Sequence, residues 1–200
     1  MLAAWEKLVT FVSRQTPSMQ LSSADSATFN DIMQYLPLNA EMRKFYQSKF
    51  PEELVIPTIG NDLVIYSSER LIASQVGYRW ENLAHIDKLL DFWDYHWVVI
   101  GDIGADPIIA HANMINTPVS IALHGTGTWE PQRITLGLTA FFEGLRVWYE
   151  VSQIRYDGKF MSDDSDLLPN VKDDCQTMLI EVMSGDEADK FLSCLLASCI

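Results

Sequence analysis

No apolar run in these 200 residues approaches the roughly 18 to 20 needed to cross a bilayer, so no membrane-spanning helix is expected. Basic residues are scarce: 14 Lys and Arg against 27 Asp and Glu give a formal net charge of −13. A nucleic-acid binder needs a basic footprint, and none is present. Cysteine is scarcer still. Cys175, Cys194 and Cys199 all lie near the C-terminus, in an odd number and with no CxxC spacing, which argues against a disulfide framework and for buried thiols in a reducing compartment. The four histidines, His85, His96, His111 and His124, form no HExxH and no i, i+4 pair, so no metal site is expected. His124-Gly-Thr-Gly-Thr128 lacks the lysine of a phosphate loop and runs into Trp129-Glu-Pro131 rather than a helix, which reads as a tight turn at a strand end. No GxSxG or equivalent nucleophile motif exists. The expectation is a chain with no catalytic, cofactor-binding or metal residues.

What is present is a foldable chain. Hydrophobic residues make up 48% and charged residues 20%, ample for a core. Trp5, Leu8, Val9 and Val12 fall at i, i+3, i+4 and i+7, the stripe of a helix docked by one face. The preceding residues lack a basic n-region and no small-residue cleavage site follows, so this is not read as a signal peptide, and cytoplasmic residence is expected. Residues 15–24 read as a polar connector broken by Pro17. A second helix from about Ser26 carries Phe29, Ile32, Met33 and Leu36 and ends at Pro37; a third holds Met42, Phe45, Tyr46 and Phe50 and stops at Pro51. Leu54–Ile59 and Leu63–Tyr66 flank Gly60-Asn61-Asp62, a hairpin signal, with Pro57 marking the first strand as an edge or a bulge. Ser67 or Ser68 can cap a short helix through Val76, and residues 86–93 fit either a helix or a loop with an apolar face.

Three strands are expected near 97–100, 107–110 and 118–123, then a helix on which Leu138, Phe141, Phe142, Leu145, Trp148 and Tyr149 keep the 3.6 period. Asp157, Asp163, Asp164, Asp166, Asp173 and Asp174 then crowd a segment with little periodicity. It reads as a solvated loop or, alternatively, as a docking surface for a basic partner. An EF-hand register from Asp163 fails, because Leu167 and Leu168 stand where an oxygen ligand and glycine are required. A last amphipathic helix from Asp186 presents Phe191, Leu192, Leu195 and Leu196, with Asp186 and Glu187 suited to its N-terminus. The order of elements argues an α+β domain with a mainly antiparallel sheet. Most tryptophans are assigned to the core; Trp129, following Gly-Thr-Gly-Thr in a loop, is either packed or an interface anchor.

In their order, Tyr35-Leu-Pro37, Phe45-Tyr46, the hairpin Leu54–Tyr66, Trp97-Val-Val-Ile-Gly-Asp102, Gly104-Ala-Asp-Pro-Ile108, Thr117-Pro-Val119 and Leu138-Thr-Ala-Phe-Phe142 resemble the SUKH superfamily. That family holds the yeast-type cell-wall-synthesis regulators and many bacterial immunity proteins. The likeness covers about residues 26–155, leaving 1–25 as an N-terminal helix and linker, and 156–200 as an acidic loop and a C-terminal helix packed on the same domain. Ala105 departs from the family, where a second glycine is common. Gly104 is read as permitting a positive φ, and Asp106 as capping the turn before Pro107. The resemblance implies a curved, mainly antiparallel sheet with helices packed around it, and for bacterial members the binding of a polymorphic toxin, often a nuclease. With the charge of −13, this sets the functional expectation: a non-enzymatic immunity protein for a basic toxin, with Trp129 and the six aspartates as candidate partner-binding residues. A regulatory scaffold or small-ligand-binding domain in cell-envelope control is the alternative. A hydrolase with an unrecognised site, for which His111 and His124 are the candidates, is the third.

Overall fold

The computed structural model describes residues 1–162 and 166–196. In chain order the elements are α1 (Leu2–Gln15), β1 (Leu21–Ser23), α2 (Ser26–Tyr35), α3 (Ala40–Tyr46), β2 (Lys49–Pro51), β3 (Glu53–Ile56), β4 (Leu63–Tyr66), α4 (Ser68–Leu71), β5 (Trp97–Ile103), β6 (Asp106–His111), β7 (Val119–Ile121), β8 (Gln132–Thr135), α5 (Leu138–Tyr149), α6 (Pro169–Leu179) and α7 (Gly185–Leu195). The fold is α+β. Strands β3 to β8 form one six-stranded sheet in sequence order, antiparallel at every step, while β1 and β2 make a separate two-stranded ribbon.

Local chemistry explains most boundaries. Asp25 accepts a hydrogen bond from the Thr28 N–H at 2.7 Å and starts α2, and Asn39 does the same for α3 through Met42 at 2.9 Å. Ser184 and Glu187 close a reciprocal capping box on α7. Strand β3 lies at the sheet edge and stops one residue before Pro57, where a missing N–H costs no ladder bond. The other edge, β8, is guarded by α7: the Leu136 N–H donates to Glu187 Oε1 at 2.7 Å.

One face of the sheet carries the main core. Trp5 of α1 meets Phe45, Phe50 and Phe142 at ring-centroid distances of 5.0, 4.7 and 5.3 Å, and its indole N–H donates to Lys49 O at 3.1 Å. Each such ring pair adds about 0.5–1.5 kcal/mol beyond area burial. The helices α1, α5, α6 and α7 all send side chains into this one cluster, which runs from Ala4 to Leu195.

Several local expectations give way to tertiary context. The connector 15–24 contains β1, whose partner β2 takes Phe50 out of the third helix; α3 ends at Tyr46 instead. Strand β8 has no counterpart in the sequence reading, since Gln132-Arg-Ile-Thr135 shows little apolar alternation. Residues 86–93 are loop. The acidic segment is not one loop: Pro169 opens α6, which carries Asp173 and Asp174. Asp106 does not cap its own turn. Its carboxylate accepts from the His124 N–H at 2.8 Å, while Asp102 Oδ1 faces the Ala105 N–H at 3.5 Å.

Candidate functional site

The second face of the sheet is where the fold departs from a simple two-layer arrangement. Val64 and Tyr66 from β4, Trp97 and Val99 from β5, Ile109 from β6 and Ala122 just after β7 gather in a second cluster, apart from the main core. Pleating would alternate them without interruption, but β5 carries one extra residue between Val99 and Gly101 relative to β6, and this bulge re-aims the strand beyond it. In place of a helix, the long connection from α4 to β5 covers this face as a strap and supplies Tyr78, Leu89 and Trp93.

Arg79 pins the strap. It is 2% exposed, donates from Nη1 to Tyr95 O at 2.7 Å, and lies 5.0 Å from the Tyr95 ring and 5.7 Å from the Trp80 ring. Burial pulls its guanidinium below its ordinary pKa, opposed by the nearby Tyr95 and Asp94. Its Nε has no hydrogen-bond partner among the described residues, so the strap is held there at the cost of one unsatisfied donor.

Trp129 joins this layer. Its ring lies 5.3 Å from Tyr78 and 5.9 Å from Trp93, both edge-on, and Trp93 in turn meets Trp97 at 5.4 Å. Trp129 is half-buried in the aromatic tier, which favours packing over a free anchor. Beside it, the Tyr66 hydroxyl donates to Asp102; burial first, and this hydrogen bond second, raise the Tyr66 pKa.

The candidate aspartates fall in different surroundings. Asp174 pairs with Arg155 at 2.8 Å and accepts from the Tyr156 hydroxyl at 3.0 Å, and the bond from Arg155 chiefly lowers its pKa. Asp157 sits in a left-handed turn at φ +53° with Lys159 at 3.4 Å. Asp166 bonds through its backbone to Ser162, and the carbonyl of Asp173 accepts from the Thr177 hydroxyl. Asp163 and Asp164 lie outside the described residues. Asp174 is thus committed to structure, whereas the carboxylates of Asp166 and Asp173 form no ion pair among the described residues.

Two histidines have polar partners. His111 Nε2 lies 2.8 Å from Ser120 Oγ, and His124 Nδ1 lies 2.6 Å from Asp106 Oδ1. Each pair has part of a catalytic geometry, and neither has the whole. Ser120 is 2% exposed, so its hydroxyl is sealed inside the sheet. His124 is exposed, but no hydroxyl or thiol among the described residues is hydrogen-bonded to it. Burial lowers the His111 pKa, with Asp94 opposing and Arg133 reinforcing the shift.

The surface that sequence reasoning missed lies where β5 and β7 begin and β6 and β8 end. Phe92 and Tyr95 on the strap are each 55% exposed, and Ile115 in the β6–β7 loop is 88% exposed. Met114 in the same loop and Leu136 just after β8 are also exposed. The Ala112 N–H donates to His96 O at 2.9 Å, joining the loop to the strap exit, and the Leu138 N–H donates to Asn116 O at 3.1 Å, joining it to the start of α5, two residues beyond Leu136. The only signal in the sequence was an apolar face on residues 86–93; nothing local marked it as uncovered.

Comparison with protein-family models, with curated proteins and with solved structures finds no match.

Proposed function

We propose that this protein is a non-enzymatic binding module that takes a basic protein as its partner. The observation that carries this reading is the combination of a net charge of −13 with exposed carboxylates left unpaired on the strap: Glu81, Asp87 and Asp91 have no ion pair among the described residues. An acidic surface of this kind speeds encounter with a cationic protein and rejects other anions. The SUKH resemblance, carried by the order of the motifs, supplies the more specific form, an immunity protein that occludes a polymorphic toxin such as a nuclease. The histidine pairs support binding over hydrolysis, because Ser120 is sealed and His124, bonded to Asp106, has no hydroxyl or thiol hydrogen-bonded to it among the described residues.

The test is an affinity capture from the source lysate with the full chain as bait, at low and at high salt. A single stoichiometric basic protein, released as salt rises, is the expected result. Several envelope-associated partners, or salt-independent capture of a neutral protein, would instead favour a regulatory scaffold.

A further inference from the structure

We infer that the partner docks on the strand-end surface formed by Phe92, Tyr95, Met114, Ile115 and Leu136, with the strap carboxylates as its rim. This deepens the binding reading above and rests on it. Exposed apolar side chains are ordinary when scattered, but here five lie on three segments tied to one another by backbone hydrogen bonds at one end of the sheet. An apolar centre with a polar rim is the anatomy of a protein interface.

The surface is also pre-shaped. Asn116 and Thr117 are both left-handed, at φ +63° and +51°, a strained pair for residues with side chains. Thr117 is fully buried and fastened from both sides: its hydroxyl donates to Glu41 Oε2 at 2.9 Å and accepts from Asn39 Nδ2 at 2.8 Å. That clamp to α3 holds the loop presenting Ile115, and Arg79 holds the backbone presenting Tyr95. A backbone held in place before binding loses little freedom when it is covered.

Charge decides the occupant. Glu81, Asp87, Asp91 and Asp94 are exposed on the strap against the single cation Lys88 between residues 81 and 95. A second copy of this chain would bring −13 against −13 and is disfavoured, as is an anionic lipid surface. A basic protein segment with an aromatic or aliphatic centre fits both features.

The full chain is panned against a random dodecapeptide library displayed on phage, and enriched peptides are then titrated against variants whose folding is verified by circular dichroism. Peptides combining Lys or Arg with an apolar residue should emerge. They should bind F92S/I115S at least about tenfold more weakly and D87N/D91N several-fold more weakly, the latter mainly at low salt. D157N/D173N, on the opposite acidic candidate, should bind unchanged. Basic peptides that bind F92S/I115S as tightly as the parent, or that lose affinity only in D157N/D173N, would overturn this surface while leaving the basic-partner reading intact. Enrichment of peptides without basic residues, or of none, would overturn both. A concentration-dependent dimer abolished by F92S/I115S would give the surface to a second copy and likewise overturn the proposal.

Discussion

The buried side chain of Gln75 pairs with both backbone groups of Val99: Nε2 donates to Val99 O at 2.8 Å, and the Val99 N–H donates to Oε1 at 3.0 Å. The register of β4 with β5 ends at Ile65 and Gly101, so beyond that point β5 has lost its neighbour on this side, and the amide completes the ladder. Nε2 also donates to Leu71 O at 3.0 Å, tying the start of the strap to the sheet. Replacing Gln75 by Ala leaves two buried backbone groups of Val99 unpaired, each worth about 1–3 kcal/mol, so the loss should be about 2–6 kcal/mol. The urea midpoint at constant m-value reads this directly; an unchanged midpoint would refute the side chain's part in the ladder.

Two glycine-related positions should respond in opposite directions. Gly104 and Ala105 form the β5–β6 turn with φ of +56° and +77°, the mirror-image turn that suits a twisted hairpin and that Ala tolerates poorly. Ala105→Gly should stabilise the protein by about 0.5–1 kcal/mol, the relieved strain less the added chain entropy of glycine. Gly101→Ala places a Cβ 2.2 Å from Val64 O, a backbone atom that cannot move aside, and should cost about 3 kcal/mol or more. Thermal unfolding of both variants checks the pair; equal shifts of one sign would contradict it.

Acid sensitivity should track His111. Burial holds its folded-state pKa below the ordinary value near 6.5, against the pull of Asp94 and with the push of Arg133. Between those two pKa values the unfolded chain binds more protons than the folded one. Stability is therefore complete above about pH 6.5 and declines as the pH falls toward the folded pKa. Melting temperatures from pH 8 to 5 should show this decline, and His111→Gln should flatten it. An identical slope in the variant would place the titration elsewhere.

Cys175 is buried in α6, and burial, with Asp174 adding to it, pushes its thiol up to about 12. The thiolate is the reactive form, so native Cys175 should resist alkylation at pH 8 and label rapidly in urea, as peptide mapping after iodoacetamide would show. Rapid native labelling would mean that α6 opens locally.

The helices were legible because their signals are local. Trp5, Leu8, Val9 and Val12 predict α1 by spacing alone, and all four are buried; the stripe from Leu138 to Tyr149 does the same for α5. The hairpin around Gly60-Asn61-Asp62 and the edge position of its first strand were equally readable, since turn chemistry and a missing N–H act over a few residues, although the strand stops at Ile56 and not at Ile59, making the connection 57–62. The elements that escaped are those whose reasons lie elsewhere in the chain. Leu21-Ser-Ser23 is fully exposed and becomes a strand because Lys49–Pro51 pairs with it, and Gln132–Thr135 because β7 and α7 enclose it.

The same division holds for the candidate site. By itself the amino-acid sequence determined the α+β class, the main helices, the acidity and the want of any nucleophile, metal or phosphate motif, because each depends on residue type and short-range spacing. Only the tertiary structure decided that Trp129 stacks edge-on to Tyr78, that Asp174 is tied to Arg155, and that the segments carrying Tyr95 and Ile115 are joined by a backbone hydrogen bond. Exposure depends on what the rest of the chain covers. The segments carrying residues 95 and 115 come together because the antiparallel turn between β5 and β6 brings the entrance of one strand beside the exit of the other.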